Sequence, residues 1–338
     1  MKSPFTGGAT ELVRERKKMD FRKESFDIVF HSRKCIDTGE YFTTDELDTL
    51  NINQVYNKYR EKHKMPFPDQ IRSIREKYGL SATKMSELLG FGVNTWRKYE
   101  SGDVPQASNG KLIKLVANPD EFKRLIELSD VFSEKEIKKI LDRVESTIEP
   151  EKESDELLLK KLLSDKKLEP NLFTGYRELR LEKFQNMVVW FAEKVQPFKT
   201  RLNKLLFYAD FLNYKKTGFS ISGSNYRAIE LGPVPDAYDT LYDYLTRKDI
   251  INIEYVEFAD REHIGEKYKP NPNRPFDQEL FDETEIESLN YVTGYFKDMD
   301  TQDVIKQSHS EKAWEARSKE KGYIEYDYAF DLRIGELE

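Results

Sequence analysis

Residues 71–102, IRSIREKYGLSATKMSELLGFGVNTWRKYESG, decide the fold of the first half of this chain. Ile71, Ile74 and Tyr78 recur at helical spacing, so they form the apolar face of a first helix. Gly79 follows directly, and glycine is the residue that most often ends a helix because it adopts positive φ without strain. The stretch therefore opens with a short amphipathic helix that ends at a sharp turn.

Two further short helices follow within the same stretch. Ser81 can cap a second helix over 82–89, and Gly90 permits the turn into a third helix over 93–100. Spacing directs these side chains of the third helix toward the core: Val93, Trp96 and either Tyr99 or Glu100. Three short helices joined by tight turns predict a helix-turn-helix domain.

The outward face of the third helix carries the chemistry that reads DNA. Asn94, Thr95, Arg97 and Lys98 remain on the open side. Asparagine can bond an adenine edge through two hydrogen bonds, and Arg or Lys can address guanine O6 and N7. Residues of the second helix that could contact phosphates are Thr83 and Lys84. From spacing alone, an ordinary three-helix bundle with a solvated polar face stays open.

Charge and composition restrict the class of protein. Residues 1–130 carry 23 Lys and Arg against 20 Asp and Glu, whereas the remainder carries 32 against 42. Binding to a polyanion is therefore expected in the first half. No apolar run is long enough for a membrane-spanning helix, the N-terminus lacks the apolar stretch of a signal peptide, and there is one Cys. We expect a cytoplasmic protein without disulfides or membrane contact.

The fold class predicted is α+β and mainly helical. Short strands are expected at 10–15, 25–31 and 41–43, and another with one buried face at 251–255. A polar stretch containing Pro150, residues 149–155, predicts a linker. The predicted division is a small β module with a helix at 1–64, an all-α helix-turn-helix domain at 65–148, a linker with a helical segment at 149–172, and an α+β domain at 173–338.

The helix-turn-helix resembles a known family. GLS…ELLG…N…YE.G followed by Pro is similar to Xre-type domains, and GFGVNTWRKYESGDVPQASNGKLIKLVANPDEF resembles the DNA-binding half of MqsA-type antitoxins. The resemblance implies that Asn94 and Lys98 read bases, with Arg97 as an additional basic residue. Ala82 stands where many Xre domains have Gln, so the resemblance implies no base contact there.

The same family usually has an N-terminal zinc module built from two CxxC pairs. The corresponding frames here are Ser3-Pro4-Phe5-Thr6 and Cys35-Ile36-Asp37-Thr38, of which only Cys35 keeps a thiol. Structural zinc needs four Cys or His ligands, and hydroxyls are poor substitutes. His31 and His63 do not restore a pair. We therefore expect a module with the same small β frame and no metal.

The C-terminal region resembles the Panacea domain of SocA-type antitoxins. The segments that carry the resemblance are KLLFYADFLNYKKTG (204–218), YRAIELGPVPD (226–236), QSHSEKAW (307–314) and IEYDYA (324–329). The resemblance implies a domain that neutralises a protein toxin by direct binding. We expect Gly232–Pro235 to stop a strand and launch the next helix at Asp236. Ser308 and Glu311 are expected to form a capping box, with Trp314 as a core anchor. The residues expected near the partner are Tyr226, Gly232, Pro233 and Pro235.

Enzyme signatures are absent from the sequence, which contains no GxxxxGK[ST], HExxH or GxSxG, and His309 has no acid–base partner at a recognisable spacing. We expect no catalysis, cofactor or metal. The prediction is an antitoxin of a type II toxin–antitoxin pair, acting as a homodimer on an operator in double-stranded DNA. Its expected partner is a protein toxin from the adjacent gene. Alternatives are a transcription regulator with a non-toxin partner and an adaptor for proteolysis.

Overall fold

The computed structural model describes residues 1–148, 169–258 and 264–335, and the side chains of 146–148 are outside that description. The predicted linker at 149–155 lies outside the described residues. The fold is α+β and mainly helical, as predicted. No helix in the described ranges is both long enough and apolar enough to cross a lipid bilayer.

Three strands form the N-terminal antiparallel sheet, in the order β1-β2-β3, and the C-terminal region adds two separate two-stranded sheets, β4-β5 and β6-β7. The predicted strands at 10–15 and 25–31 are present but longer. The strands are β1 Thr10–Phe21, β2 Glu24–Cys35, β3 Tyr41–Phe42, β4 Tyr226–Ile229, β5 Gly232–Pro235, β6 Ile251–Glu257 and β7 Ile264–Pro270.

The α-helices of the described residues fall into two groups along the chain. In the N-terminal half they are α1 Asp45–His63, α2 Pro68–Tyr78, α3 Ala82–Leu88, α4 Thr95–Glu100, α5 Ala107–Val116, α6 Pro119–Leu128 and α7 Glu134–Ile148. In the C-terminal half they are α8 Leu181–Lys194, α9 Lys199–Thr217, α10 Tyr238–Arg247, α11 Glu283–Phe296, α12 Thr301–His309 and α13 Lys312–Glu315.

The chain forms two compact units, each built from several segments. One unit comprises Met1–Lys17, Val29–Asn51 and Leu168–Glu338, and the other comprises Lys18–Ile28 and Ile52–Lys167. We call the first the C-terminal unit, because most of its residues come from the C-terminal half of the chain, although it also includes the two N-terminal segments. We call the second the helix-turn-helix unit. The domain boundaries expected from the sequence stay a prediction.

The helix-turn-helix unit has one apolar core, in which α2 to α7 all take part. Tyr78 stacks on Phe122 with ring centroids 3.6 Å apart, and its hydroxyl donates to the Val116 carbonyl at 2.8 Å. Gly79 adopts φ 66° and ends α2, and the Ser81 hydroxyl accepts from the Lys84 N–H at 3.2 Å to begin α3. Both helix boundaries expected from the sequence are confirmed.

The C-terminal unit is built around α9, which is buried over most of its length. Its apolar side chains, among them Leu205, Phe207 and Phe211, are fully buried. Gly218 ends the helix at φ 79°. A helix that is covered on all sides must satisfy its polar side chains internally, and this requirement shapes the polar contacts of the unit.

Gly232–Pro235 forms a strand, so the expectation that it stops one strand and launches a helix at Asp236 is wrong. Pro233 lies opposite Ala228, and Pro235 lies opposite Tyr226. The Ala228 N–H points away from β5 and donates to the Gly322 carbonyl. Pro233 and Pro235 therefore occupy positions of the β4–β5 pair at which no N–H donor is needed. The following helix, α10, begins two residues later than expected, at Tyr238.

His31 is a fully buried histidine in the C-terminal unit. Its ring packs edge-on against Phe330, with centroids 4.8 Å apart, and its backbone N–H donates to Asn51 Oδ1 at 2.8 Å. Burial, reinforced by the charge of Arg14, lowers the pKa of His31 to about 4. The folded chain therefore holds this imidazole neutral at pH 7.

This pKa predicts a loss of stability in mild acid. Between pH 6.5 and about 4 the unfolded chain binds a proton at His31 that the folded chain does not, so stability falls as pH falls through that window. At pH 5 the loss is about 2 kcal/mol. The free energy of unfolding, measured with denaturant at pH 7 and pH 5, should show this loss in the wild type and a smaller one in His31→Gln. An equal loss in both proteins contradicts the assignment.

Candidate functional site

Helix α4 is held in place by a network of polar contacts around one tryptophan. Trp96 is fully buried; its indole N–H donates to Glu100 at 2.7 Å, and its backbone N–H donates to the Ser86 hydroxyl at 3.0 Å. Arg75 on α2 forms an ion pair with the same Glu100 at 2.5 Å. These contacts join α2, α3 and α4, so the buried side chains of α4 set the orientation of the helix.

The outward face of α4 presents the predicted base-reading residues. Asn94, Arg97 and Lys98 are exposed, and Thr95 is half-buried. Asn94 occupies the N-cap position, yet its side chain makes no capping hydrogen bond. Its amide thus keeps both its donor and its acceptor for another ligand. In the part of the chain that the structure describes, the Arg97 and Lys98 side chains form no ion pair.

One residue expected in this helix lies outside it. Val93 was expected to face the core, but it is 60% exposed, because α4 begins at Thr95 and Val93 lies in the preceding turn. Trp96 and Tyr99 are buried as expected. Val93 therefore adds an apolar group to the surface beside Asn94.

Thr83 and Lys84, the predicted phosphate contacts, lie half-buried on α3. The Lys84 ammonium already pairs with Glu87 at 3.1 Å and lies 5.4 Å from the Phe132 ring centroid. A phosphate would have to compete with Glu87 for this charge. Lys84 is thus a weaker candidate for DNA contact than Arg97 or Lys98.

The N-terminal frame brings the four former ligand positions together. The Ser3 and Cys35 carbonyls accept from Gly7 and Gly39, each at 2.9 Å, so the two segments form matching turns. The Thr6 hydroxyl lies 3.6 Å from Cys35 Sγ. Hydrogen bonds from Ser3 and Thr38, with a further one from Thr6, lower the pKa of the Cys35 thiol to about 6.

The residues at this position do not fit zinc. Three of the four groups are hydroxyls, which stay protonated at neutral pH and bind zinc poorly. Nowhere in the described ranges do three or more His, Cys, Asp or Glu side chains gather in a way that could hold a metal ion. Hydrogen bonds to one sulfur hold the frame in place of metal bonds.

The motif KLLFYADFLNYKKTG supplies three buried charged side chains, and each fastens a different segment to α9. Lys204 donates to the Pro233 carbonyl at 3.0 Å, and burial lowers its pKa to about 7. Asp210 accepts from the N–H groups of Ile221 and Ser222 at 2.7 and 2.8 Å and from the Tyr226 hydroxyl at 2.7 Å. Lys204 and Asp210 therefore hold the backbone of neighbouring segments against α9.

Lys215, the third of these side chains, donates to the carbonyls of Leu332 and Ile334 at 2.9 and 3.0 Å. It thereby fastens the last part of the described chain to α9. None of these contacts leaves a charged group directed at solvent, since Lys204, Asp210 and Lys215 are all fully buried.

The residues predicted to contact a partner are not at the surface. Tyr226, Gly232, Pro233 and Pro235 are all buried. A Cβ on Gly232 would come within 2.5 Å of the Ser308 hydroxyl, which shows how closely this turn is packed. The placement is therefore corrected: the residues of the turn that reach the surface are Glu230 and Leu231, and Leu231 is 51% exposed. A lone leucine between Glu230 and a glycine carries no sequence signal.

QSHSEKAW forms a different local structure from the one predicted. Ser308 lies inside α12 and donates to the Ile305 carbonyl at 2.8 Å, so the expected capping box with Glu311 is wrong. Trp314 is half-buried, donates to the Ile229 carbonyl at 2.8 Å, and stacks on His309 with ring centroids 3.9 Å apart. The motif thus contacts the β4 end of the β4–β5 turn, whereas Lys204 contacts β5.

The frame around Cys35 predicts how metal binding can be restored. The variant Ser3→Cys/Thr6→Cys/Thr38→Cys completes four thiols on two matching turns, so it should bind one zinc ion per chain and unfold at lower temperature after chelation. The wild type should purify without stoichiometric zinc and keep its melting temperature in chelator. Elemental analysis and thermal unfolding measure both. Stoichiometric zinc in the wild type would refute the assignment.

Two regions of the chain match family models. Residues 1–127 match the antitoxin component of the bacterial toxin–antitoxin system, MqsA, and residues 202–315 match the Antitoxin SocA-like, Panacea domain. The curated proteins contain no match to the chain. The first match covers the Cys35 frame and α1 to α5, and the second covers most of α9, the β4–β5 turn and α12. The chain therefore joins an MqsA-like segment to a SocA-like Panacea segment, and both families are antitoxin families, as the sequence resemblance predicted.

Proposed function

We propose that this protein is an antitoxin of a type II toxin–antitoxin pair, which neutralises a protein toxin through its C-terminal unit and represses its own operon in the cytoplasm. The observation that carries the proposal is the presence of two segments similar to antitoxin families in one chain. In this proposal the protein acts by binding, and the buried charged groups of α9 serve to hold neighbouring segments in place.

In the proposed DNA complex, α4 enters the major groove. Asn94 is at the N-terminal end of the helix, which is the end that reaches base edges in helix-turn-helix proteins, and Lys98 follows one turn later. Arg97 supplies a further positive charge. The buried side of α4 is fixed by Trp96 and Glu100, so the DNA-facing residues are presented without a change of fold.

The protein acts on DNA as a homodimer in this proposal. Leu112 and Leu115 on α5 are 38% and 51% exposed, and their spacing places them on one side of the helix. Burying these leucines against a second copy removes apolar surface from water. Two copies then engage half-sites about one DNA turn, roughly 34 Å, apart.

The base-reading residues give the first test of this function. Asn94→Ala and Lys98→Ala should each weaken binding to the promoter fragment of the chain's own operon by roughly ten- to a hundredfold, because each removes a contact to a base edge. Footprinting and titration at fixed salt measure the effect. Lys138→Ala, at an exposed position on α7 of the same unit, is the matched control. A wild type whose binding is insensitive to salt and to Asn94 would contradict operator recognition.

Neutralisation is tested separately from repression. Cells that express the adjacent gene alone should stop growing, and the full-length protein should restore growth. The variant Asn94→Ala/Lys98→Ala should restore growth equally when both genes are under an external promoter, because it leaves the C-terminal unit intact. A harmless neighbour would favour a transcription regulator with another partner. Faster turnover of the neighbour's product, instead of a stable complex, would favour a proteolytic adaptor.

A further inference from the structure

A groove on the C-terminal unit combines exposed apolar side chains with an acidic rim. It lies between the first residues of α9, the β4–β5 turn, the start of β7 and the start of α12, and has a volume of about 540 Å³. Its apolar lining comprises Phe198, Leu231, Phe258, Ile264 and Ile305. We call this feature the β7 groove.

The apolar surface at the β7 groove is a continuation of the core. Residues opposite each other in β6 and β7 share a face, which begins with the buried Tyr268 and ends with Tyr255 and Ile264, with Glu266 and Glu257 beside them. Tyr255 is 68% exposed and Ile264 60% exposed. A hairpin whose apolar face extends past its core leaves that end for another molecule to cover.

Charge indicates the chemistry of that molecule. Lys199, the lysine of the groove lining, already pairs with Asp239 at 2.7 Å and with Glu266 at 3.1 Å. Asp300 adds another carboxylate to the lining; one of its oxygens caps α12 by accepting from the Asp303 N–H at 2.8 Å. Among the residues that the structure describes, the rim is therefore acidic, and it favours a cationic partner and disfavours a nucleic acid.

Two exposed carboxylates extend this acidic rim beside the apolar residues. Glu257 lies directly opposite Ile264 on the same face of the hairpin, and Glu230 precedes Leu231 in the β4–β5 turn. Leu231 and Ile264 thus each have a carboxylate next to them. A partner that matches both features has a large apolar side chain flanked by lysines or arginines.

The turn that carries Leu231 is held by a hydrogen bond to each of its two strands. Lys204 holds Pro233 on one side of the turn, and Trp314 holds Ile229 on the other, through contacts of 3.0 and 2.8 Å. Because the turn is already ordered in the free protein, docking on Leu231 costs little conformational entropy.

From these observations we propose that the β7 groove is the surface that binds the toxin, and that it receives a cationic segment of the toxin with a large apolar side chain at its centre. This inference rests on the proposed neutralising function, and it replaces the buried residues Tyr226 and Gly232 with Leu231 and Ile264 as partner contacts. Leu231 and Ile264 supply the apolar contact, and Glu230 and Glu257 supply the charge.

The first test uses the full-length protein and a labelled synthetic peptide whose central Leu-Phe pair is flanked by lysines. The wild type should bind this peptide more weakly as salt rises, and Leu231→Asp/Ile264→Asp should weaken binding at least about tenfold. Two comparison peptides carry glutamates in place of the lysines, or serines in place of the Leu-Phe pair, and both should fail to bind. Equal binding of all three peptides, or no binding of the lysine peptide, overturns the proposal.

The second test uses the growth assay, with Ile36→Asp as a matched control because Ile36 is 59% exposed in the same unit and does not line the groove. All variants should keep the wild-type melting temperature. Loss of rescue with Leu231→Asp/Ile264→Asp, but not with Ile36→Asp, supports the proposal. Full rescue by the double variant overturns it while neutralisation stands.

Failure of the groove and failure of the proposed function give different results. If the wild type itself does not restore growth, neutralisation of that gene's product is wrong, and the peptide test still decides the chemistry of the groove. If the double variant changes the oligomeric state in light scattering and binds the peptide normally, the groove joins two copies of this chain, and the proposal is overturned.

Discussion

The C-terminal unit depends on the burial of charged side chains along one helix. Lys204, Asp210 and Lys215 are fully buried on α9, and a buried charge is costly unless hydrogen bonds or an opposite charge satisfy it. Groups of three separate segments meet this need, mostly backbone N–H and carbonyl groups, together with the Tyr226 hydroxyl on Asp210, so each segment is fixed by the charged group that it satisfies. Burial lowers the pKa of Lys204 to about 7, because no carboxylate of the described residues pairs with it and the neutral amine is less costly to bury than the ammonium.

The helix-turn-helix unit solves the opposite problem, because its outward side chains must stay available. The Trp96 indole N–H donates to Glu100, and Arg75 forms an ion pair with the same carboxylate. The buried polar groups of α4 are thus satisfied without hydrogen bonds from the Asn94 or Lys98 side chains. The same chain thus uses polar groups to fix backbone in one unit and leaves them exposed in the other. This difference follows from depth: α9 is buried on all sides, whereas α4 is buried on one.

Local signals predicted the helices well, and contacts between distant segments explain the errors. Gly79, Ser81 and Gly218 act within one turn of the chain, so their effects could be predicted from sequence. Pro233 and Pro235 sit in a strand because residues 322–324 take up the hydrogen bonds on the other side of β4, which no local pattern reveals. The burial of Tyr226 likewise depends on Asp210, sixteen residues earlier in the chain.

The N-terminal frame separates geometry from chemistry in the same way. Ser3, Thr6, Cys35 and Thr38 come together at the positions that four thiols would occupy around a metal. The spacing of the motif therefore specifies the two turns even where three of the four thiols are missing. Turn geometry resides in the backbone, where Gly7 and Gly39 adopt φ of 73° and 77°. Zinc affinity resides in the side chains, and hydroxyls do not supply it. A family resemblance carried by spacing therefore predicts a fold more securely than it predicts a ligand, and the same holds for the Panacea-like motifs, whose residues build the turn that presents Leu231.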